Sequence, residues 1–338
     1  MIILLTGGCK NGKSGSAQKL AVLLSKRKQG RLFYVATMKS TGAEDDERIR
    51  RHVEDRAGLG FETLEIKTEI GSLFDTEKTS EVVEGSTCSG TYLIDSLTAL
   101  LANEMFKEVE GKFITDKDAT KRVSDELEAL MNEAGENGAD LIFVSDGIYS
   151  DATVYAGDTF WYREGLGELE RVVAASADLV IEMCAGVPVI YKKSDKAAED
   201  KELMDQLKRT GEKEGALIIG GAAQGKRAFA KEKYGLKDED IYSFEADEVM
   251  RGGLCIPGSY KAYDHVERTA LLEGTDIREI ADYFPENAIL ICEDITCGIV
   301  PMSREDRKWR DDAGRLMQAL GADREVYRVF CGKGTRIG

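Results

Sequence analysis

The 338-residue sequence is poor in proline, with four, and in histidine, with two. Its seven cysteines are scattered along the chain, and none forms a Cys-x-x-Cys pair. This pattern favours reduced thiols over a disulfide framework or a zinc site. The scarcity of proline and the hydrophobic fraction of 42% exclude the collagen-like and disordered classes.

Long apolar runs are also absent. The apolar start of the chain has five residues before the first glycines, with no basic segment ahead of them. No run approaches the length that crosses a bilayer. We therefore expect a cytoplasmic protein with neither a signal peptide nor membrane insertion.

Positive charge is in deficit, because 46 basic residues face 62 acidic ones and the net charge is −16. Such a surface repels nucleic-acid phosphates and anionic lipid, so we expect neither as a general partner. Any phosphate that the protein binds must be held by a local site that overcomes the overall field.

Short apolar runs alternate with helical patterns up to about residue 192. This alternation is typical of an α/β domain, with a mostly parallel sheet and helices on both faces. The predicted strands are Ile2–Thr6, Leu32–Ala36, Tyr92–Asp95, Leu141–Ser145, Leu179–Met183 and Val187–Tyr191. The predicted helices include Lys13–Lys26, Asp45–Arg56 and Lys117–Ala134.

A second, shorter α/β unit is predicted over residues 215–338, after a charged segment, 193–214, that reads as a solvated linker helix. Two stretches of this unit resemble the first domain, 1–192, in the same order. GGCKNGKS at 7–14 is similar to GGAAQGKR at 220–227, and YREGLG at 162–167 to WRDDAG at 309–314. The pattern favours a tandem duplication with a trimmed second copy, against chance similarity of glycine-rich stretches.

The clearest motif is G-x-x-x-x-G-K-[ST] between a predicted strand and a predicted helix. Its glycines let backbone N–H groups surround phosphate oxygens at the start of a helix. The lysine would reach the β- and γ-phosphates of ATP or GTP, and the serine hydroxyl would bind Mg²⁺. The motif comprises Gly7, Gly8, Cys9, Lys10, Asn11, Gly12, Lys13 and Ser14.

The second copy of the motif keeps Gly220, Gly225 and Lys226, but Arg227 replaces the hydroxyl residue. A guanidinium group cannot bind Mg²⁺. We interpret this loop as non-catalytic; direct contact of Arg227 with phosphate is the alternative.

A phosphate site of this kind needs a carboxylate near the metal, at the end of a neighbouring strand. Asp95 and Asp146 both end predicted strands. We favour Asp95 as a nucleotide ligand, or as a metal ligand through water. Capping of the helix that follows is the alternative role for Asp95.

His52 is the single histidine of the first half, and Arg48 and Arg56 lie four residues on either side of it. On a helix these three share a face, where the guanidinium groups could hold a phosphate chain. They would also lower the imidazole pKa and keep His52 neutral and nucleophilic. A solvated histidine on a charged helix is the other interpretation.

These segments together resemble the cobinamide kinase/cobinamide-phosphate guanylyltransferase family of cobalamin biosynthesis. The resemblance rests on TGGCKNGKS, YVATM at 34–38, DDERIRRHVEDR and LIDSLTALLANEMF at 93–106. It implies a P-loop NTPase-like (RecA-like) fold and places His52, Asp95 and Asn103 at family positions. Ala57 departs from the pattern, which has proline there.

The family's late motif, N-E-x-G-x-G-I-V-P followed by R-D-x-x-G-x-x-N-Q, is better kept in the second half. There it reads EDITCGIVP at 293–301 and then Arg310, Asp311, Gly314 and Gln318, whereas SDGI at 145–148 matches it poorly. We therefore hypothesise that the halves complement each other, the second standing where a neighbouring subunit stands in a homo-oligomeric family. A decayed copy that only buries a face is the alternative.

The resemblance implies two reactions. A nucleotide would phosphorylate adenosylcobinamide, and His52 would then carry GMP from GTP to the cobinamide phosphate. Two other functions remain open at this point: a P-loop kinase of another small molecule, and a nucleotide-binding regulatory protein without turnover. The sequence leaves undecided the preference for ATP or GTP in the kinase step, the corrinoid contacts and the oligomeric state.

Overall fold

The computed structural model describes residues 1–40, 42–75, 89–109, 112–149, 153–208, 213–246, 249, 256–272 and 274–338. In this part of the chain each half forms its own mostly parallel sheet with helices packed against it. The predicted fold class is confirmed. No helix among the described residues is both long enough and apolar enough to span a bilayer.

The first half is built on a seven-stranded sheet in the order β3-β2-β4-β7-β1-β8-β9. Its strands are parallel except β9, which pairs antiparallel with β8. They are β1 (Ile2–Gly7), β2 (Arg31–Ala36), β3 (Glu62–Glu65), β4 (Gly90–Asp95), β7 (Asp140–Val144), β8 (Leu179–Cys184) and β9 (Val187–Lys193). A separate hairpin pairs β5 (Phe106–Val109) with β6 (Lys112–Thr115).

Helices cover both faces of this sheet because the central strands are apolar on both sides. One face packs against three of the helices, and the other packs against the first helix. The helices are α1 (Lys13–Lys28), α2 (Ala43–Asp55), α3 (Leu97–Met105), α4 (Ala119–Asn137) and α5 (Asp158–Ser176), of which α3 to α5 share the first face.

The segment after β9 differs from the single solvated helix predicted for 193–214. It forms two short helices, α6 (Asp195–Glu199) and α7 (Lys201–Gln206). Leu203 is fully buried in the same core as α1. The charged composition hid this contact, since one leucine is enough to seat a short helix on an apolar face.

The second half is built on a six-stranded sheet in the order β11-β12-β13-β10-β14-β15. Its strands are β10 (Ala216–Gly220), β11 (Ile241–Ser243), β12 (Ala262–Asp264), β13 (Ile289–Glu293), β14 (Glu325–Phe330) and β15 (Lys333–Arg336). Its helices are α8 (Lys226–Tyr234), α9 (Ile277–Asp282) and α10 (Arg304–Ala322).

The two sheets have the same strand order once the edge strand β3 is set aside. In the first, Val144 pairs with both Leu5 and Asp95; in the second, Ile291 pairs with both Ile218 and Asp264. Leu5 and Ile218 each lie two residues before the first glycine of their loop. The register therefore places Asp264 where the first half has Asp95.

The halves pack against each other through a shared core. The turn between β8 and β9 contributes Ala185 to a cluster that otherwise belongs to the second half. At Gly321 in α10 a Cβ would lie 2.6 Å from the Ala185 carbonyl oxygen, so only glycine allows this approach. Arg328 in β14 pairs with Glu182 in β8 at 2.6 Å.

Candidate active site

The glycine motif forms the predicted loop between β1 and α1. Lys10 and Gly12 have φ values of 53° and 89°, in the left-handed region. Gly7 passes so close to β8 that a Cβ there would lie 2.3 Å from the Met183 carbonyl oxygen. The loop wraps tightly at the N-terminus of α1, an arrangement that favours an anionic ligand.

Lys13 is folded back over the loop. Its side chain is 6% exposed, and its Nζ donates to the Gly8 carbonyl at 2.7 Å. Nζ also lies 2.9 Å from the Asp146 carboxylate. Asp146, the carboxylate that the sequence ranked second to Asp95, is thus the one that contacts the lysine.

Asp95 ends β4, and its carboxylate accepts a hydrogen bond from the Tyr34 hydroxyl at 3.0 Å. Capping of α3 is carried out by the next residue, since the Ser96 hydroxyl accepts from the Ala99 N–H at 3.3 Å. The alternative of a capping role for Asp95 is therefore wrong. Its carboxylate lies at the same sheet edge as the loop.

The oxygen donors at this edge fit a magnesium ion. Ser14 lies in the first turn of α1 with its side chain partly exposed, and Asp95 and Asp146 end the two strands next along the sheet from β1. Hydroxyl and carboxylate oxygens are the ligands that Mg²⁺ takes in nucleotide sites.

Arg56 makes contacts that the sequence did not indicate. Its guanidinium group lies 4.2 Å from the centre of the Tyr34 ring, and its Nη2 donates to Thr63 at 3.2 Å. Because Tyr34 also bonds Asp95, the end of α2 is tied to the sheet edge. His52 is half-buried on α2, whereas the side chain of Arg48 lies outside the described part of the structure.

Asn103 braces the same edge. Its side-chain amide donates to the carbonyls of Thr37 and Lys67, at 2.7 and 2.8 Å. These two carbonyls belong to the segments that follow β2 and β3. The asparagine that the resemblance singled out therefore positions backbone here.

The second half contacts the glycine loop directly. The Cys9 N–H donates to the Thr296 carbonyl at 2.9 Å, and the Asn11 amide donates to the Thr296 hydroxyl at 2.9 Å. A Cβ at Gly8 would lie 2.0 Å from that hydroxyl. Gly8 thus permits the approach of the second half.

Helix α10 continues this contact along the loop. The Cys9 thiol donates to the Asp311 carboxylate at 2.9 Å, and Lys10 lies 3.9 Å from the same carboxylate. Burial and the Asp311 charge raise the pKa of Cys9. Gln318 reaches Gly12, where a Cβ would lie 3.0 Å from its Oε1.

The loop that carries Thr296 is held by α10 and by the first half. Arg310 is buried and donates to the carbonyls of Gly298 and Ile299, both at 3.2 Å. The Gly298 N–H donates to the Gly147 carbonyl at 3.1 Å. The better copy of the late motif, in the second half, therefore lies against the loop of the first half.

Sequence reasoning missed Glu170 as a group coupled to the site. Its carboxylate accepts from the Thr6 hydroxyl at 3.1 Å, one residue before the loop. Burial raises the pKa of Glu170, although hydrogen bonds from Ser145 and Thr6 oppose this shift. A glutamate on the inner face of an amphipathic helix was the available signal.

The sequence model of CobU, described as cobinamide kinase / cobinamide phosphate guanyltransferase, matches residues 3–190, more than half of the chain. The chain belongs to this family. The match spans β1 to β9 and includes the glycine loop, His52 and Asp95. No curated protein matches the chain significantly.

Similar solved structures cover a little over half of the chain at low identity. The flagellar accessory protein FlaH from Methanocaldococcus jannaschii has 15% identity and a TM-score of 0.32, over 57% of this chain and 78% of its own. A KaiC-like protein from Pyrococcus horikoshii has 13% and 0.32, over 57% and 79%. A solved ATPase domain has 14% and 0.35, over 57% and 77%.

Proposed function

We propose that this member of the cobinamide kinase/guanyltransferase family carries out both reactions. It phosphorylates adenosylcobinamide with a nucleoside triphosphate, and it transfers GMP from GTP to the product through His52. The observation that carries the proposal is the Gly7–Ser14 loop, folded at the start of α1 with Lys13 beside it, inside the matched region.

In the kinase step the corrinoid hydroxyl attacks the γ-phosphorus, and the nucleoside diphosphate leaves. The loop N–H groups and Lys13 bind the phosphates, and Lys13 exchanges Asp146 for phosphate oxygens. Removing one such preorganised contact costs about 3 kcal/mol of barrier. Ser14, with Asp95 through water, would hold Mg²⁺, which would neutralise charge on the phosphates.

In the guanylyl step the neutral His52 imidazole attacks the α-phosphorus of GTP. A P–N bond forms, the bond to the bridging oxygen breaks, and pyrophosphate leaves. A phosphate oxygen of cobinamide phosphate then displaces the imidazole. We assign Arg48 to the phosphate chain, and Arg56, stacked on Tyr34, to positioning the end of α2.

The second half has a part in this proposal. We infer a tandem arrangement, in which 1–192 is the catalytic domain and 215–338 is a related unit that completes its nucleotide loop. Thr296 and Asp311 support this role, since both bond residues of the loop. The Arg227 side chain points to a loop without a metal ligand in the second half.

Incubation with GTP labelled at the α-phosphorus tests the guanylyl step. We expect a protein-bound label that is labile in acid and stable in base, on the peptide that contains His52. His52→Ala should abolish it, whereas His265→Ala, the matched control, should keep it. Kinase activity should survive in His52→Ala.

Other results would assign other functions. Phosphorylation of adenosylcobinamide without a label on His52 would reduce the proposal to the kinase. Phosphorylation of other small molecules alone would identify a different P-loop kinase. Nucleotide binding without turnover on any corrinoid would identify a regulatory protein.

A further inference from the structure

A cluster of three ligating side chains lies in the second half, away from the loop of the first. His265 follows β12, Glu267 lies two residues later in the 3-10 turn Val266–Leu271, and Glu293 ends β13. One ligand atom from each lies within 4.8 Å of the other two. The carboxyl ends of two neighbouring parallel strands bring the three together.

Glu267 is held firmly at the base of this cluster. Its side chain is 3% exposed, and its second carboxylate oxygen accepts from the Glu293 N–H at 2.9 Å. Trp309 fixes the same residue by donating to its carbonyl at 3.1 Å. His265 is one-third exposed, so the cluster opens to solvent on the imidazole side.

The spacing of the ligand atoms suits a transition-metal ion. His265 Nδ1 and Glu267 Oε1 are 3.3 Å apart. Ligands of a tetrahedral zinc ion, at about 2.0–2.1 Å from the metal, are separated by about 3.4 Å. Glu293, whose carboxylate lies within the wider 4.8 Å limit, needs only a side-chain rotation to complete a face.

The first half lacks these ligands at the matching positions. The common register places Ser96, Thr98 and Asp146 where the second half has His265, Glu267 and Glu293. Two of the three positions thus change from a hydroxyl residue to a metal-ligating type. Thr98 and Glu267 both accept the N–H of the strand-end acid, at 3.0 and 2.9 Å.

The cluster also lies beside a loop that keeps the shape of a phosphate loop. Lys226 donates to the Gly221 carbonyl at 2.7 Å, as Lys13 does to Gly8. Ala223 has a φ of 54°, close to the 53° of Lys10. The second half thus retains the loop, while Arg227 pairs with Asp264 at 3.3 Å where the first half has a hydroxyl.

We propose that His265, Glu267 and Glu293 form a second metal site, for a divalent transition-metal ion such as Zn²⁺. One nitrogen and two carboxylate oxygens bind the ion, and water fills the remaining position. This donor set is that of zinc sites with an open position, and it differs from the all-oxygen set expected for Mg²⁺ in the first half.

Titration of the metal-free, nucleotide-free full chain tests the site. We expect one Zn²⁺ per chain by calorimetry, and Co²⁺ absorption bands of a four- or five-coordinate site. Glu293→Gln and His265→Ala should each weaken Zn²⁺ binding at least tenfold. Glu245→Gln, which removes an equal charge from an exposed position near the cluster, should leave the binding unchanged.

The proposal is overturned if the folded wild-type chain binds no Zn²⁺ or Co²⁺. It is equally overturned if Glu293→Gln and His265→Ala, shown to be folded by circular dichroism, bind as tightly as the wild type. A preference for Mg²⁺ over Zn²⁺ would also contradict it, because an imidazole ligand disfavours Mg²⁺.

Discussion

Cys9 occupies the loop position at which the two halves meet most closely. Its N–H and its thiol both donate to the second half, to Thr296 and Asp311. Cysteine in such a loop reads as a small filler in the sequence. Its bond to a carboxylate far along the chain makes the thiol a reporter of the contact between the halves.

Asp311→Asn should make Cys9 more reactive. The raised pKa of Cys9 keeps the thiolate fraction low at a given pH, and removing the Asp311 charge lowers that pKa. We expect faster iodoacetamide labelling of the Cys9 peptide at pH 8, measured by mass spectrometry. Asp323→Asn, an exposed acid just beyond α10, should leave the rate unchanged; equal rates in both variants would contradict the contact.

The residues of the loop itself could be predicted from the sequence, because the spacing of glycines, lysine and serine carries the chemistry. The roles of Asp146 and Arg56 could not. Asp146 reaches Lys13, and Arg56 stacks on Tyr34, through packing that brings distant elements together. No local pattern encodes those distances.

At the scale of elements, the long strands and helices follow their apolar periodicity, and their predicted bounds differ from the observed ones by a few residues at most. The missed strands are short or polar, such as β3 (ETLE) and β15 (KGTR). They form at sheet edges, where pairing with a neighbouring strand decides the conformation and local propensity decides little.

Leu203→Ala tests the packing of the linker. Leu203 is fully buried, so its truncation should cost about 2–4 kcal/mol of unfolding free energy. Leu207→Ala, on a partly buried leucine of the same segment, is the matched control and should cost clearly less. Denaturant unfolding measures both, and equal small losses would restore the interpretation as a solvated linker.

Asp178→Asn tests how β1 and α6 are anchored. Burial alone would raise the pKa of Asp178, but hydrogen bonds from the Ile2 N–H and the Ser194 hydroxyl outweigh it, and the pKa is lowered. A lowered pKa adds stability above the unfolded value of about 3.9, and that stability is lost as the pH falls through the folded value.

The loss of stability in Asp178→Asn should therefore be about 1–3 kcal/mol at pH 7 and should shrink below pH 4. Unfolding curves at pH 7, 5 and 3.5 measure it. A loss that stays constant with pH would contradict an ionised Asp178 as the acceptor.

At the scale of the whole molecule, the two sheets share their strand order and pack through one core. The sequence indicated the repeat through its two glycine loops. It could not show that the second half covers the first loop, because the geometry between the halves depends on close approaches at Gly8 and Gly321 that no spacing reveals.

Thr296→Val should weaken nucleotide binding although Thr296 lies 285 residues from Asn11, the loop residue that it bonds. Losing that hydrogen bond leaves the Asn11 amide buried without its partner and loosens the loop. We expect GTP affinity to fall about 5- to 30-fold in calorimetry, for a cost of about 1–2 kcal/mol. Thr335→Val, at an exposed position in β15, should have no effect; an unchanged affinity in Thr296→Val would contradict the coupling.

The central claim is that the first loop, and not its copy, holds the nucleotide. Binding of a non-hydrolysable GTP analogue to Lys13→Ala and Lys226→Ala tests it most directly, since each lysine makes the same bond to its own loop. The account predicts that Lys13→Ala loses about 100-fold in affinity, or about 3 kcal/mol, while Lys226→Ala binds as the wild type. Tight binding to Lys13→Ala together with a loss in Lys226→Ala would contradict it.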